Sequence, residues 1–433
     1  MTAPNLMLSY DAAPAFSTPL RFFLTAPLFG IAAGLLLLLA PELLVSRWTP
    51  GALALTHLIA AGFMLNVMFG ALFQVLPVVA GAVLPMPGSA PKIVHAGLST
   101  GAASLAWGLG AGSPIFLTMS VVLLGVTLTI FLMAAAHGLR RAPIAQATPR
   151  DLRLALVGLG LATSLGMALA STLAGGLSLP IATFVKLHVG WAWVGGSGML
   201  LAATSWVVVP MFQITPKYPS WLTRHWALVT GGALVVWSGA VLAGLSLIEF
   251  GLVVVLAGLC ATFAITTLQL QRQSRRAAPD STTRAFQFAM VSLIGGVACV
   301  VAAHRADDEL LPVLAGILIL HGGFVGAMIG MLYKIVPFLA WLHISQQGLK
   351  APNMKKLQPD GPVRRHLIAH AVALAALLLG ALTTNALLAR ASGVLVMLEF
   401  ALLLANLLAV LGAYRRALAA GVVRIVSHPG DSH

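Results

Sequence analysis

The feature that most constrains the fold of this 433-residue chain is a series of continuous apolar runs, each long enough to cross a bilayer. Lipid offers the backbone no hydrogen bonds, so a spanning segment is a helix of about 20 residues or a strand of a closed barrel. The runs are continuous rather than alternating, which predicts helices. Because 59% of residues are hydrophobic and 8% are charged, a soluble protein is excluded. We predict an all-α polytopic membrane protein with twelve transmembrane helices, at about 22–45, 52–81, 94–111, 115–136, 153–174, 180–210, 225–247, 250–270, 286–303, 310–341, 366–388 and 392–414.

Three of these helices share a histidine near the start and a proline near the end. They run from Leu55 to Gly81, from Leu187 to Gln213 and from Leu320 to Trp341. Their histidines, which lie 131 and 133 residues apart, are His57, His188 and His321. The spacing predicts a single membrane domain, 1–433, made of three pseudo-repeated four-helix units at about 20–136, 153–270 and 286–414.

Basic residues are distributed unequally between the two sides of the predicted bundle. Only Arg47, Arg305 and Arg390 follow odd-numbered helices, whereas the following residues flank the ends of even-numbered helices: Arg140, Arg141, Arg150, Arg153, Arg272, Arg275, Arg276, Arg284, Lys350, Lys355, Lys356, Arg364, Arg365, Arg415, Arg416 and Arg424. By the positive-inside rule both termini are cytoplasmic, as in a multi-pass protein of a bacterial-type inner membrane. The net charge of +14 is then explained by topology and the lipid bilayer, and no nucleic-acid partner is predicted. Residues 1–19 lack the pattern of a cleaved signal peptide.

Polar groups within the apolar helices mark candidate sites, because burying them costs free energy unless they find partners. Hydrogen bonding between helices would satisfy a histidine without any other role. Lys186 either snorkels to the surface or meets an anion, such as a cofactor carboxylate. Glu399 pairs with Arg390, carries protons, or accepts a histidine N–H. His366 and His370 have the i, i+4 spacing of a metal-binding face but no third ligand in register.

The glycines beside His321 allow two interpretations. Gly322, Gly323, Gly326 and Gly330 follow it within one helix, where glycine is costly. Either a flat or bulky group approaches the backbone there, or neighbouring helices pack tightly. A neutral imidazole is a good axial ligand for haem iron, and two histidines on different helices can hold one haem from opposite faces. Three such histidines would leave one free for another role.

This arrangement resembles the catalytic subunit of haem-copper oxidases and nitric oxide reductases. The basis is twelve helices in three arcs with histidines on helices 2, 6 and 10; the segments THLIAAGF, LPVVAG and LHGGFVGAMIGM also look like those of NnrS-type haem- and copper-containing membrane proteins. The resemblance implies that His57 and His321 are the axial ligands of a low-spin haem b. It also implies that His188 is a ligand of copper or of a second haem.

The sequence departs from that family pattern at two places. Ile319 stands where the oxidases have a second histidine on helix 10, and helix 7 carries only His225, at its inner tip. A haem site without a complete haem-copper binuclear centre is therefore expected. The basic residues on the outer side, Arg47, Arg305 and Arg390, are the candidate partners of the haem propionates.

Three functions from different classes follow from these features. The first is a haem b protein in electron transfer or in redox chemistry of nitric oxide or oxygen, as an enzyme or an electron carrier, served by an electron-donor protein or a quinol. The alternative is a secondary transporter with a midplane site around His188, Lys186 and Glu399. The third is a scaffold with structural histidines, and a homo-oligomer is compatible with each.

Overall fold

The computed structural model describes residues 13–142, 146–306 and 308–427, and this part of the chain is helical, with no strand. Part of the segment expected to lack a signal peptide, residues 1–12, lies outside the described residues. The side chain of Arg424 also lies outside them. Short helical turns at Pro41–Leu44 and Met354–Leu357 connect longer elements. The long helices are α1 (Ser17–Leu39), α2 (Pro50–Ala80), α3 (Ala90–Ala111), α4 (Pro114–Leu139), α5 (Ala147–Leu173), α6 (Ile181–Gln213), α7 (Ser220–Leu242), α8 (Ser246–Arg272), α9 (Ser281–Ala303), α10 (Leu310–Gln346), α11 (Asp360–Thr383) and α12 (Ala386–Ser427).

The all-α polytopic fold class is confirmed. Within the described ranges, eleven of these helices are long and apolar enough to cross a membrane. The exception is α3, where Lys92, His95 and many small residues lower the hydropathy. A twelfth crossing therefore stays a prediction, as does the membrane in which the protein resides and the side on which its termini lie.

The three helices marked by histidines are the most buried spans. The buried share of the most apolar stretch is 72% in α2, 56% in α6 and 61% in α10. It does not exceed 44% in any other span found in the described residues. The remaining helices contact one another in sequence around them, and α1 packs along α12 to close this ring. The marked helices consequently form the interior of the bundle.

Each of the three interior helices contains a π-helical segment next to its histidine. The segments are Leu58–Met64 in α2, Trp191–Gly198 in α6 and Ile317–Val325 in α10. A π-helical turn widens the helix and occurs frequently at functional sites. This shared feature supports the predicted three-unit repeat, which stays a prediction.

Helices α1 and α12 approach each other through glycines. A β-carbon added to Gly393 would lie 2.6 Å from the backbone nitrogen of Leu38 and 2.7 Å from the carbonyl oxygen of Gly34. Backbone atoms cannot move aside as a flexible side chain can. The absence of a side chain at Gly393 therefore sets the distance between the two helices that close the ring.

We expect Gly393→Ala to destabilise the protein by about 1–3 kcal/mol, because the new methyl group overpacks a backbone contact. The thermal midpoint of detergent-purified protein measures the effect. Gly258→Ala is the matched control, since nothing lies within 4 Å of a β-carbon there; helix propensity favours that change by up to about 1 kcal/mol. Equal midpoints for the two variants would refute the packing argument.

An ionic cluster joins α9 to α10 at the end opposite the His57 end of the bundle. Asp280 caps α9 by accepting a hydrogen bond from the backbone N–H of Thr283, and its carboxylate also pairs with Lys334 of α10 and with Arg276. Burial raises the pKa of the Asp280 carboxyl, but the Lys334 ammonium and the Thr283 donors outweigh burial and hold the pKa well below its usual range.

Because the folded pKa of Asp280 is depressed, its stabilising contribution is present above the unfolded pKa of about 4 and is lost as the pH falls below that value. We expect the thermal midpoint of the wild type to fall more steeply than that of Asp280→Asn between about pH 5 and pH 2. Asp360→Asn, at the exposed start of α11, should keep the wild-type slope. A wild-type slope in Asp280→Asn would contradict this assignment.

Candidate functional site

Two of the three marked histidines lie side by side between α2 and α6. The ring centroids of His57 and His188 are 6.2 Å apart and their planes differ by 16°. Each histidine is the seventh residue after the first residue of its helix, Pro50 or Ile181, which puts both at the same depth. Both rings are half-buried.

Backbone carbonyls fix the orientation of both rings. Nδ1 of His57 lies 2.7 Å from the carbonyl oxygen of Leu53, and Nδ1 of His188 lies 2.8 Å from that of Ala162 on α5. A carbonyl only accepts, so Nδ1 carries the proton in each ring. Nε2 is then the nitrogen with a free lone pair, which is the arrangement that metal-ligating histidines usually have.

The surroundings of His188 are small and apolar. A β-carbon at Gly166 would lie 2.9 Å from Cε1 of His188, so the ring occupies the space that this glycine leaves. An apolar groove of about 390 Å³ lies beside this position, lined by Leu161, Ser164, Leu165, Leu187, Trp191, Val235 and Ser238. The groove opens on the outer surface of the bundle, where Leu161 and Val235 are exposed, so it is a surface that lipid would contact.

Lys186 has a protein partner. Its ammonium group lies 2.9 Å from Oε1 of Glu249 on α8, and Nε2 of His304 lies 3.9 Å from the same oxygen. The side chain of Lys186 is 54% exposed, whereas that of Glu249 is only 10% exposed. The lysine therefore both reaches outward and meets an anion, and this anion is a carboxylate of the protein.

The three arginines predicted to hold propionates also have neighbours within the protein. Arg47 lies 3.7 Å from the Glu309 carboxylate, and the guanidinium of Arg305 stacks 4.2 Å from the centre of the Phe250 ring. Arg390 donates to a backbone carbonyl of α1 rather than to Glu399. Arg47 and its partner are both more than two-fifths exposed, so this pair is weak. A propionate-binding role for any of them stays a prediction.

His321 lies deeper than the other two marked histidines and has different neighbours. It is the eleventh residue after Leu310, four more than in α2 and α6 and so about 6 Å further along the helix. Its Nε2 is 3.1 Å from Oε2 of Glu399, and its ring centroid is 4.9 Å from that of His370. Nδ1 of His370 donates to Oε1 of Glu399 at 2.7 Å. Among the ring contacts of the described residues, His57 and His321 are not paired.

The glycines that follow His321 are packed tightly against neighbouring side chains. A β-carbon at Gly322 would meet the side chain of Ser292 at 2.7 Å, one at Gly323 would meet Leu293 at 2.5 Å, and one at Gly326 would meet Nε2 of His370 at 3.0 Å. Tight packing, one of the two interpretations of these glycines, therefore accounts for them. The ring of His57 lies beside that of His188. The predicted axial pairing of His57 with His321 stays a prediction.

A second buried polar group lies one helical turn from His370. Nδ1 of His366 is 2.7 Å from the hydroxyl of Tyr333, and that hydroxyl accepts a hydrogen bond of 2.8 Å from Asn406. Sequence reasoning identified His366 and His370 by their spacing but found no third ligand. Helices α10 and α12 supply the missing partners. The feature of the sequence that could have indicated them is Glu399, the single carboxylate within the apolar run of α12.

Comparison with known proteins identifies no family for this chain. No family model matches the chain, and no curated protein matches it at a significant level. Function is accordingly inferred from the side chains described above.

Proposed function

We propose that this multi-pass membrane protein binds haem b, which His57 and His188 would hold, and transfers electrons within the membrane. The observation that carries the proposal is the pairing of these two rings, each with Nδ1 held by a backbone carbonyl. The resemblance to the haem-copper superfamily supports a haem, and we take His188 rather than His321 as the second ligand because its ring lies beside that of His57.

The distance between the two ring centroids is compatible with one metal ion held by both histidines. Two imidazole nitrogens about 2 Å from one metal on opposite sides place the ring centroids roughly 6 Å apart. The centroids of His57 and His188 are 6.2 Å apart. The π-helical segments that follow both histidines support a functional site here, because such segments occur frequently at functional sites.

The donor set favours electron transfer over reduction of a gas. Haem iron supplies one-electron redox chemistry, with a potential tuned by its axial ligands. If both His57 and His188 hold the iron, a gas would have to displace one of them in order to bind. The carbonyls of Leu53 and Ala162 would hold both rings in place, and an electron-donor protein or a quinol would supply the electrons.

The same two histidines also suit a copper ion, which was the role first expected of His188. Imidazole ligates copper as well as iron. Measurement of iron and copper in the purified protein separates these two outcomes. A transporter would contain neither metal and would be colourless.

We expect detergent-purified protein to have a Soret band and, on reduction, the narrow α and β bands of a six-coordinate low-spin haem. His57→Ala and His188→Ala should each lower the haem content at least tenfold, because the remaining histidine is a single ligand. His321→Ala should keep the haem, since its neighbours are His370 and Glu399. Reduced-minus-oxidised spectra together with a pyridine haemochrome measurement quantify the effect.

His225→Ala is the matched control, because that histidine is exposed at the start of α7. Loss of haem in His321→Ala but not in His188→Ala would restore the pairing that the sequence suggested and overturn the present one. A colourless wild-type protein after expression with added haem precursor would refute haem binding altogether.

A further inference from the structure

A second group of metal-ligating side chains lies between α10, α11 and α12. His321, His370 and Glu399 each offer one ligand atom, and these atoms all lie within 4.8 Å of one another. The three residues are 5%, 2% and 0% exposed. We propose that they bind a divalent first-row transition-metal ion, as a site separate from the His57 and His188 pair.

The hydrogen bonding of the cluster is incomplete. Nε2 of His321, Nε2 of His370 and Oε2 of Glu399 are buried and have no hydrogen-bond partner. Nε2 of His321 and Oε2 of Glu399 are 3.1 Å apart, within ion-pair distance, but they do not meet the geometry of a hydrogen bond. Unsatisfied buried polar atoms are rare, because each costs about 1–3 kcal/mol. Of the twelve such side-chain atoms in the described residues, three lie in this one cluster, and a metal ion that accepts their lone pairs would satisfy them.

The distances suit an ion. Two ligand atoms about 2 Å from one metal lie roughly 3 to 4 Å from each other. Nε2 of His321 and Oε2 of Glu399 are 3.1 Å apart, and one possible ligand atom from each of the three residues lies within 4.8 Å of the other two. Because each ligand comes from a different helix, the ion would also tie the three helices together.

Charge gives a second reason for a cation. His370 is the tenth residue after Asp360, so it lies about 15 Å along α11, near the middle of a hydrocarbon layer of about 30 Å. A carboxylate at that depth is expensive without an opposite charge. Arg390, the basic residue that the sequence suggested as a partner for Glu399, does not supply this charge, because it contacts α1 instead. A divalent ion held by Glu399 and two neutral imidazoles supplies that charge.

The ligand types identify the class of ion. Two histidines and one carboxylate form the donor set of non-haem iron(II) sites with open coordination positions, and imidazole and carboxylate also suit zinc and cobalt. Calcium and magnesium prefer oxygen ligands and are disfavoured. Three protein ligands leave at least one position for water or another small ligand. This donor set therefore differs from a structural metal site, in which protein side chains fill every coordination position.

We use cobalt(II) as the probe, because it distinguishes this site from haem iron. Tag-free, detergent-purified full chain is incubated with cobalt(II), desalted and analysed by inductively coupled plasma mass spectrometry. We expect the wild type to retain about one cobalt per chain. Glu399→Gln and His370→Ala should each retain at least roughly tenfold less, because each removes a ligand.

Two variants serve as controls. His57→Ala keeps all three ligands and should retain cobalt even though it is expected to lose haem, so failure of the haem proposal and failure of this one are distinguishable. Glu249→Gln removes a different membrane-embedded carboxylate and should also retain cobalt. X-ray absorption at the cobalt edge of the wild type, which needs no variant to fold, should show nitrogen and oxygen neighbours at about 2.0–2.2 Å. A wild type that retains no cobalt, or a Glu399→Gln variant that retains as much as the wild type, would overturn the proposal.

Discussion

The lack of hydrogen-bonding partners in lipid is the constraint from which the rest of this structure follows. Every polar side chain on the interior helices has to be satisfied by another helix, by its own backbone, or by a bound group. His57 and His188 each use a backbone carbonyl for one nitrogen and keep the other available. Glu399 uses His370 for one oxygen and leaves the other unpaired. Unused nitrogen or oxygen atoms of this kind occur at the His57 and His188 pair and in the cluster of His321, His370 and Glu399, and the bound metal proposed for each place would complete their bonding.

The interior position of α2, α6 and α10 could be predicted from the sequence, because polar residues in an otherwise apolar helix avoid lipid. The bounds of the helices were also largely predictable, since each continuous apolar run is bounded by Gly, Pro or basic residues. The partners of the histidines could not be predicted in the same way. Equal spacing along the chain suggested equal depth for His57, His188 and His321, but α10 begins earlier relative to its histidine, which places His321 about 6 Å deeper along its helix.

At the candidate site, too, the sequence showed the local spacing of residues but not the contacts between helices. The i, i+4 spacing of His366 and His370 is local and visible in the sequence, whereas the convergence of His370, His321 and Glu399 depends on how three helices pack. The glycines after His321 were compatible with a bound macrocycle or with tight packing, and only the positions of Ser292, Leu293 and His370 decide for packing. For Lys186 and Arg47 the sequence indicated a need for anions, but it did not show that Glu249 and Glu309 supply them.

The central claim is that His57 and His188 hold one cofactor between them in the interior of the bundle. An experimental density map of the purified protein, at a resolution that resolves side chains, tests this claim most directly. It should show planar density bonded on one face by Nε2 of His57 and on the other by Nε2 of His188. Planar density between His57 and His321, or rings of His57 and His188 with nothing between them in protein that contains haem, would contradict it.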